Sequence, residues 1–403
     1  MKPTSLRQLT LIWLVWAVVL ISFMAFASAR FAPSRPDDAL VWTANETSRR
    51  SLEGKIYLLE PFLNWLVAWD SEYYLSIATV GYDDPALGTF TASDGQAYSR
   101  ASAFFPGYPF VIRGLALPLG LAGLTPIAAA TAAGVLISLL GTLAGMVALY
   151  DLARQHGGEE GGIRTAWAML IFPSSLFFAV VYTEGLFVGL AFGSLALLRR
   201  RQWLLAATLA AFATWTRAIG GVLVVPLLLT WAYDTWRAPQ RTAMLPYLPL
   251  SLLPVAAYAL WRLAYGHPFE VVEAEYFGNG LLNLGKTLDA WGQILQRASE
   301  VPETATIVIM NLGAATLAFA SCVVCARRYP TLALFGALAL LVPFTGGWTS
   351  TQSTLRYVLV VPTLWIMLGS LCRSVVFHYG WSLLGILLLG MNAFLFSFDF
   401  WVA

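Results

Sequence analysis

The sequence predicts an all-α integral membrane protein with about eleven transmembrane helices and interfacial helices in its first exterior loop. Three observations carry that reading. Of 403 residues, 58% are apolar and only 11% charged, where an ordinary soluble domain has about 25% charged, and the mean hydropathy is +0.69. Apolar runs close to the ~20 residues needed to cross hydrocarbon recur along the whole chain. The basic residues are distributed unevenly around those runs. The 16 Trp, 16 Tyr and 24 Phe exclude a disordered chain, three Cys exclude a disulfide scaffold, and a net charge of +2 gives no footprint for nucleic acid.

The candidate spans lie near 9–29, 126–150, 165–182, 184–198, 203–216, 219–236, 244–265, 305–326, 331–345, 356–372 and 380–398. The first follows Lys2 and Arg7 and ends in Ala27-Ser28-Ala29, a signal-peptide pattern whose apolar stretch is too long for the usual h-region. With the N-terminus in the cytoplasm, twelve of the 24 basic residues fall on the cytoplasmic side, among them the run Arg199-Arg200-Arg201, and five fall in short exterior segments. Short loops set orientation, so the split places the N-terminus in and the C-terminus out. The chain is then a single polytopic membrane domain over 1–403, with a first exterior loop at 30–125 and a second at 266–304. Those two loops hold sixteen of the 22 acidic residues. Within the first, the stretch from Ala103 through Arg113 to Pro118 and Gly120 suits an interfacial or half-inserted helix.

Several motifs carry no chemistry. Gly280 to Thr287 matches the P-loop pattern in letters, but no strand, helix and parallel sheet can be built around it in so small an exterior loop. Cys322 and Cys325 sit inside a span as small buried thiols, and the three His are isolated, so no metal site is expected and a metal requirement stays open. Gly141-x-x-x-Gly145 and Gly189-x-x-x-Gly193 fit close helix packing. An Asn45-Glu46-Thr47 sequon is present, and Asp-x-Asp, a common holder of nucleotide-sugar metals, is absent.

Chemistry concentrates at the exterior span ends: Trp69-Asp70 with Glu72, Tyr73 and Tyr74; Thr183-Glu184; Thr216-Arg217; and Arg356-Tyr357. Charges bordering hydrocarbon are unfavourable unless paired or functional, so acids and arginines gathered at one depth point to a site. The bland alternative is a solvated Asp70, an aromatic belt and snorkelling arginines. The run Trp69-Asp70-Ser71-Glu72-Tyr73-Tyr74 through Gly81-Tyr82, followed by Ala103-Phe104-Phe105-Pro106-Gly107-Tyr108-Pro109 and Arg113, resembles the first exterior loop of PIG-V-type mannosyltransferases of the GT-C membrane glycosyltransferase superfamily. Tyr182-Thr183-Glu184, Thr216-Arg217 with Gly220, Arg356-Tyr357 and Trp401-Val402-Ala403 follow in family order. Ala218 stands where a proline is expected, and Gly107 replaces a larger apolar residue.

The resemblance implies a GT-C-type fold and an enzyme that moves a sugar, mannose in the first instance, from a polyprenyl-phosphate donor to a hydroxyl of a lipid or glycolipid acceptor outside the cytoplasm. Beyond that lipid-linked co-substrate no cofactor is expected, and the partners are the membrane and its lipids. An inverting displacement needs a base on the acceptor hydroxyl and positive charge on the departing phosphate. Asp70 is the expected base in its aromatic setting, and Arg217 and Arg356 are the expected phosphate clamp. Trp69, Glu72, Tyr108, Glu184 and Tyr357 are expected to orient substrate, with Glu72 pointing away from Asp70. The competing class is a transporter or flippase of a lipid-linked saccharide, which would show internal repeats and midplane charges. The Ala-Leu-rich, low-lysine composition leans toward a bacterial plasma membrane, with the endoplasmic reticulum as the alternative.

Overall fold

Backbone amides inside hydrocarbon must bond within their own segment, and the apolar runs of this chain accordingly form helices. The computed structural model describes residues 3–33, 36–47 and 54–402; Lys2 and Ala403 lie outside them. The longer helices, in order, are α1 (Pro3–Arg30), α2 (Ser71–Thr79), α3 (Gly107–Leu121), α4 (Pro126–Leu170), α5 (Glu184–Arg199), α6 (Trp203–Thr216), α7 (Val224–Arg237), α8 (Leu253–Val271), α9 (Leu284–Glu300), α10 (Pro302–Cys325), α11 (Pro330–Phe344), α12 (Pro362–Leu371) and α13 (Val375–Phe396). Among the described residues, six helical segments are long and apolar enough to cross a membrane, or seven if one bent pair counts as a span. Helix occupies all eleven predicted runs, but several pieces, such as α6 and α11 at 14 and 15 residues, are shorter than a bilayer needs. Large apolar side chains on α1 (Val15, Val19, Phe26) and α13 (Val376, Leu383, Leu387) are exposed, as lipid-facing surface should be.

Three runs depart from simple spans. Helix α4 covers two predicted spans and reverses at Gly158, whose φ of 66° lies in the left-handed region that glycine enters freely. Gly162 lies directly against Tyr150, a contact impossible in a straight helix, where twelve residues rise about 18 Å. The predicted run 165–182 stays α-helical only to Leu170, because Pro173 cannot continue the ladder, and closes as a 3-10 turn over Ser175–Phe178. The run 356–372 is broken at Pro362, its two helical pieces meeting at 85°.

Charge marks the two ends of the bundle. At one end the nearly buried Asp151 of α4 binds Arg154 at 3.1 Å, Arg199 at 2.5 Å and Arg200 at 2.7 Å, and Arg201 pairs with Asp234 of α7. The basic run Arg199-Arg200-Arg201 is therefore anchored by two carboxylates, the first two arginines on Asp151 and the third on Asp234. At the opposite end lie α2, α3, α9 and a hairpin of β1 (Thr89–Thr91) and β2 (Ala97–Ser99), in register Thr89 with Ser99. The 15 residues of α3 span about 22 Å, too short to cross; Leu117 and Leu121 project outward while Tyr108 and Ile112 are buried.

Candidate active site

The first motif opens on strain. Trp69 sits at φ 53°, and the turn it makes delivers Asp70 to the N-cap position of α2. A carboxylate there ordinarily caps the helix; that of Asp70 does not, and its Oδ2 instead accepts from Arg356 Nη1 at 2.6 Å. Two bonds tie this turn to the second motif: Ser71 Oγ donates to Val181 O at 3.0 Å, and Asp70 N donates to Tyr182 Oη at 3.2 Å.

Glu184, the first residue of α5, is fully buried and joins both arginines. Arg217 Nη1 donates to its Oε1 and, at 3.1 Å, to Thr183 Oγ1, while Arg356 Nε lies 3.2 Å from the same carboxylate oxygen. Arg356 sits on a single turn, Thr354–Tyr357, whose backbone is clamped at Leu355 by Asn311 Oδ1 and Ser174 Oγ. Its guanidinium is ringed by Tyr182 at 5.2 Å, Tyr357 at 5.7 Å and Phe177 at 5.9 Å, and Arg217 lies 5.5 Å from the Tyr357 ring. Two carboxylates balance two guanidiniums, which is what permits such a cluster among aromatic rings.

This cluster borders a cavity of about 1090 Å³ lined by residues of the loops at 30–125 and 266–304 and of the segments around Arg356 and Trp401. Trp69, Asp70, Glu72, Arg356 and Tyr357 line it; Glu184, Arg217 and Tyr108 do not. The two arginines expected to act as one clamp are thus inequivalent: Arg356 reaches the cavity, and Arg217 stands behind it on Glu184. Glu72 does not point elsewhere, as expected, but into the same space. The helical spacing rule fails here because Asp70 precedes the helix and the cavity wraps its N-terminus. Tyr108 lies apart from the cavity: it is fully buried, and its hydroxyl bonds Gly134 O and Ser138 Oγ, both at 2.9 Å, between α3 and α4.

The cavity also holds Trp401 of the last motif and residues that stand in no motif. Trp42 and Trp401 join Trp69 in an edge-to-face triad with centroids 5.0–5.4 Å apart. Asp399, at φ 60° just past α13, lines the cavity, and burial pushes its carboxyl up to about 7 against the pull of Lys55. Glu273 receives Asn279 Nδ2 at 3.0 Å, and Asn279 in turn holds Thr349. Arg100 begins the turn after β2. The Asp94-Gly95 dipeptide was the readable signal for that hairpin. Among the described residues no three His, Cys, Asp or Glu side chains gather to hold a metal ion.

Both departures from the family wording have a local reason. Arg217 is extended, φ −152° and ψ 139°, the region a residue before proline favours, so Ala218 preserves the same path. A Cβ on Gly107 would stand 2.7 Å from the Trp215 carbonyl carbon and 2.9 Å from Thr216 N. Glycine lets α3 touch the backbone that ends in Arg217. Gly107→Ala is expected to push these segments apart and destabilise the protein by about 1–3 kcal/mol, the usual range for overpacking, read as a lower thermal midpoint in detergent. An unchanged midpoint would show that the contact is not tight.

A model of the mannosyltransferase (PIG-V) family matches residues 20–232. Among curated relatives, GPI alpha-1,6-mannosyltransferase 2 of Cricetulus griseus is 31% identical over 174 residues, covering 42% of this chain and 32% of that one. The Homo sapiens protein of the same name is 32% identical over 174 residues, 41% of this chain and 32% of the relative. The chain thus matches about a third of the length of these relatives. Solved structures with some likeness are ArnT from Cupriavidus metallidurans bound to undecaprenyl phosphate, with a TM-score of 0.46 and 17% identity over 79% of this chain and 58% of that one, and the Archaeoglobus fulgidus oligosaccharyltransferase, with a TM-score of 0.45 and 11% identity over 96% and 53%.

Proposed function

From its membership of the mannosyltransferase (PIG-V) family, to which this chain belongs, we propose that it transfers mannose from a polyprenyl-phosphate donor to a hydroxyl of a lipid or glycolipid acceptor, with inversion, at the exterior face of a membrane crossed about eleven times. The names of the matched relatives support mannose as the sugar. The observation that carries the reaction is the Asp70–Arg356 pair at the wall of a large cavity. A base and a cation side by side suit a displacement in which a hydroxyl is deprotonated while phosphate departs.

In this mechanism Asp70 takes the proton of the acceptor hydroxyl as its oxygen bonds the sugar's anomeric carbon. The bond from that carbon to the donor phosphate oxygen breaks, and polyprenyl phosphate leaves with the electron pair. Phosphate is a weak base, so no general acid is required. Arg356 shifts part of its hydrogen bonding from Asp70 to the phosphate, which frees the carboxylate at the moment it is needed. Glu184 and Arg217 hold the Arg356 guanidinium in place without touching substrate.

The test is direct. Purified protein in nanodiscs, given polyprenyl-phosphate-mannose and a mixed glycolipid acceptor pool, is expected to release polyprenyl phosphate and yield a mannosylated lipid whose anomeric configuration is inverted. Movement of the intact donor between leaflets of sealed proteoliposomes, without release of polyprenyl phosphate, would replace this reading with transport.

A further inference from the structure

At the Asp70–Glu184–Arg217–Arg356 centre every positive charge is already matched. Arg356 is held by two carboxylates at 2.6 and 3.2 Å, and Arg217 is enclosed with Glu184 away from the cavity. A phosphate entering the cavity meets no uncompensated cation at that centre.

Arg100 stands in the opposite condition. It lines the cavity from the turn Arg100–Ala103, its guanidinium carbon 4.9 Å from the Tyr276 ring centroid. Among the described residues it makes no ion pair and no side-chain hydrogen bond, and its Nε is buried without a partner. The other described cations of the wall each have a polar partner: Arg356 is ion-paired, Lys55 acts on Asp399, and Arg297 donates through Nη2 to the neutral Asp38 O at 2.8 Å although its Nε, like that of Arg356, has no hydrogen-bond partner. The Tyr276 ring beside Arg100 packs on Phe277 at 4.9 Å, and Phe277 on Tyr73 at 6.4 Å, so Arg100 joins through aromatic contacts to the cavity-lining residue three positions after the proposed base. The Tyr276 ring holds the guanidinium beside it by a cation–π contact, and an unengaged planar fork of donors is suited to a phosphate.

We propose that Arg100 binds the phosphate of a lipid substrate in this cavity. The proposal rests on the transferase reading for the identity of that lipid: the phosphate is the donor's, or that of a phospholipid acceptor, and the chemistry recognised is the same. Arg100 then supplies the charge that the neutral four-residue centre lacks and positions the phosphate for Arg356.

The experiment measures binding, not turnover. Wild type, Arg100→Ala and Arg100→Lys in nanodiscs are titrated with polyprenyl monophosphate and, separately, with an inositol phospholipid, after circular dichroism and thermal midpoints confirm that the variants are folded. Arg100→Ala is expected to bind polyprenyl monophosphate about 10- to 100-fold more weakly, the range for one charge-assisted contact, and with a shallower dependence on salt. Arg100→Lys should fall between. A loss confined to the inositol phospholipid also supports the proposal and assigns the phosphate to the acceptor. Unchanged affinity for both ligands overturns it. If wild type binds polyprenyl phosphate through Arg100 but transfers no sugar, the transferase reading fails and this inference stands; if wild type transfers sugar and Arg100→Ala binds both lipids normally, this inference alone fails.

Discussion

Asp70→Asn is expected to lower turnover by about 10²- to 10⁴-fold, the usual loss for a positioned base, while donor binding holds or tightens. The substitution keeps the shape of the side chain and an oxygen for Arg356 Nη1, so the turn at Trp69 and the two bonds to Val181 and Tyr182 stay in place. What changes is charge. With Asp70 neutral, Arg356 keeps only Glu184 as a counter-ion and is freer to meet a phosphate. A residue needed only for folding would lose turnover and binding together, so the opposed movement of the two is the signature. Single-turnover sugar transfer and polyprenyl-phosphate titration supply the two readouts. Glu72→Gln is not a remote control, because Glu72 lines the same cavity. The sharper comparison is Asp399→Asn, since Asp399 is a second cavity acid held at about 7. Near-normal turnover in Asp70→Asn, with the loss appearing in Asp399→Asn, would move the base from one residue to the other.

The apolar frame was legible because hydrophobic runs and flanking arginines are local features: Arg199 and Arg200 gather on Asp151, while Arg201 pairs with Asp234. Legibility by hydropathy ended where a single residue sets a boundary. The run 165–182 shows no break in hydropathy, yet its α-helix stops at Leu170 ahead of Pro173, whose carbonyl then accepts from Asn392 of α13. Within the site, motif order and topology placed Asp70, Glu184, Arg217 and Arg356 at one end of the bundle. They could not say which side chains meet, since Asp70 and Arg356 are 286 positions apart. Tyr108 resembled a substrate ligand because it stands in a family motif, and only the position of Ser138 on the next helix reveals that its hydroxyl is spent on packing. Trp42, Arg100 and Asp399 were missed for one reason: each stands in an irregular segment, where no periodicity links residue number to direction.

Glu184→Gln is expected to be the most damaging single change to stability, and its rescue decides what Arg217 does. Glu184 is fully buried and its Oε1 faces both guanidiniums. A glutamine can keep a neutral oxygen toward both guanidiniums but leaves two largely buried cations opposed by Asp70 alone. Removing one partner of a buried ion pair typically costs about 3–5 kcal/mol, a large part of the 5–15 kcal/mol that holds a domain together. A sharp fall in thermal midpoint in detergent should therefore accompany the loss of transfer. Adding Arg217→Gln removes the surplus charge and leaves Asp70–Arg356 as a balanced pair, so the double variant should regain part of the lost stability, with a coupling of about 0.5–3 kcal/mol. Arg217 does not line the cavity, so a positioning role predicts that donor affinity returns with stability and that turnover follows in part. Recovered stability with donor affinity still absent would mean that Arg217 itself reaches the phosphate, and the division of labour between the two arginines would be wrong.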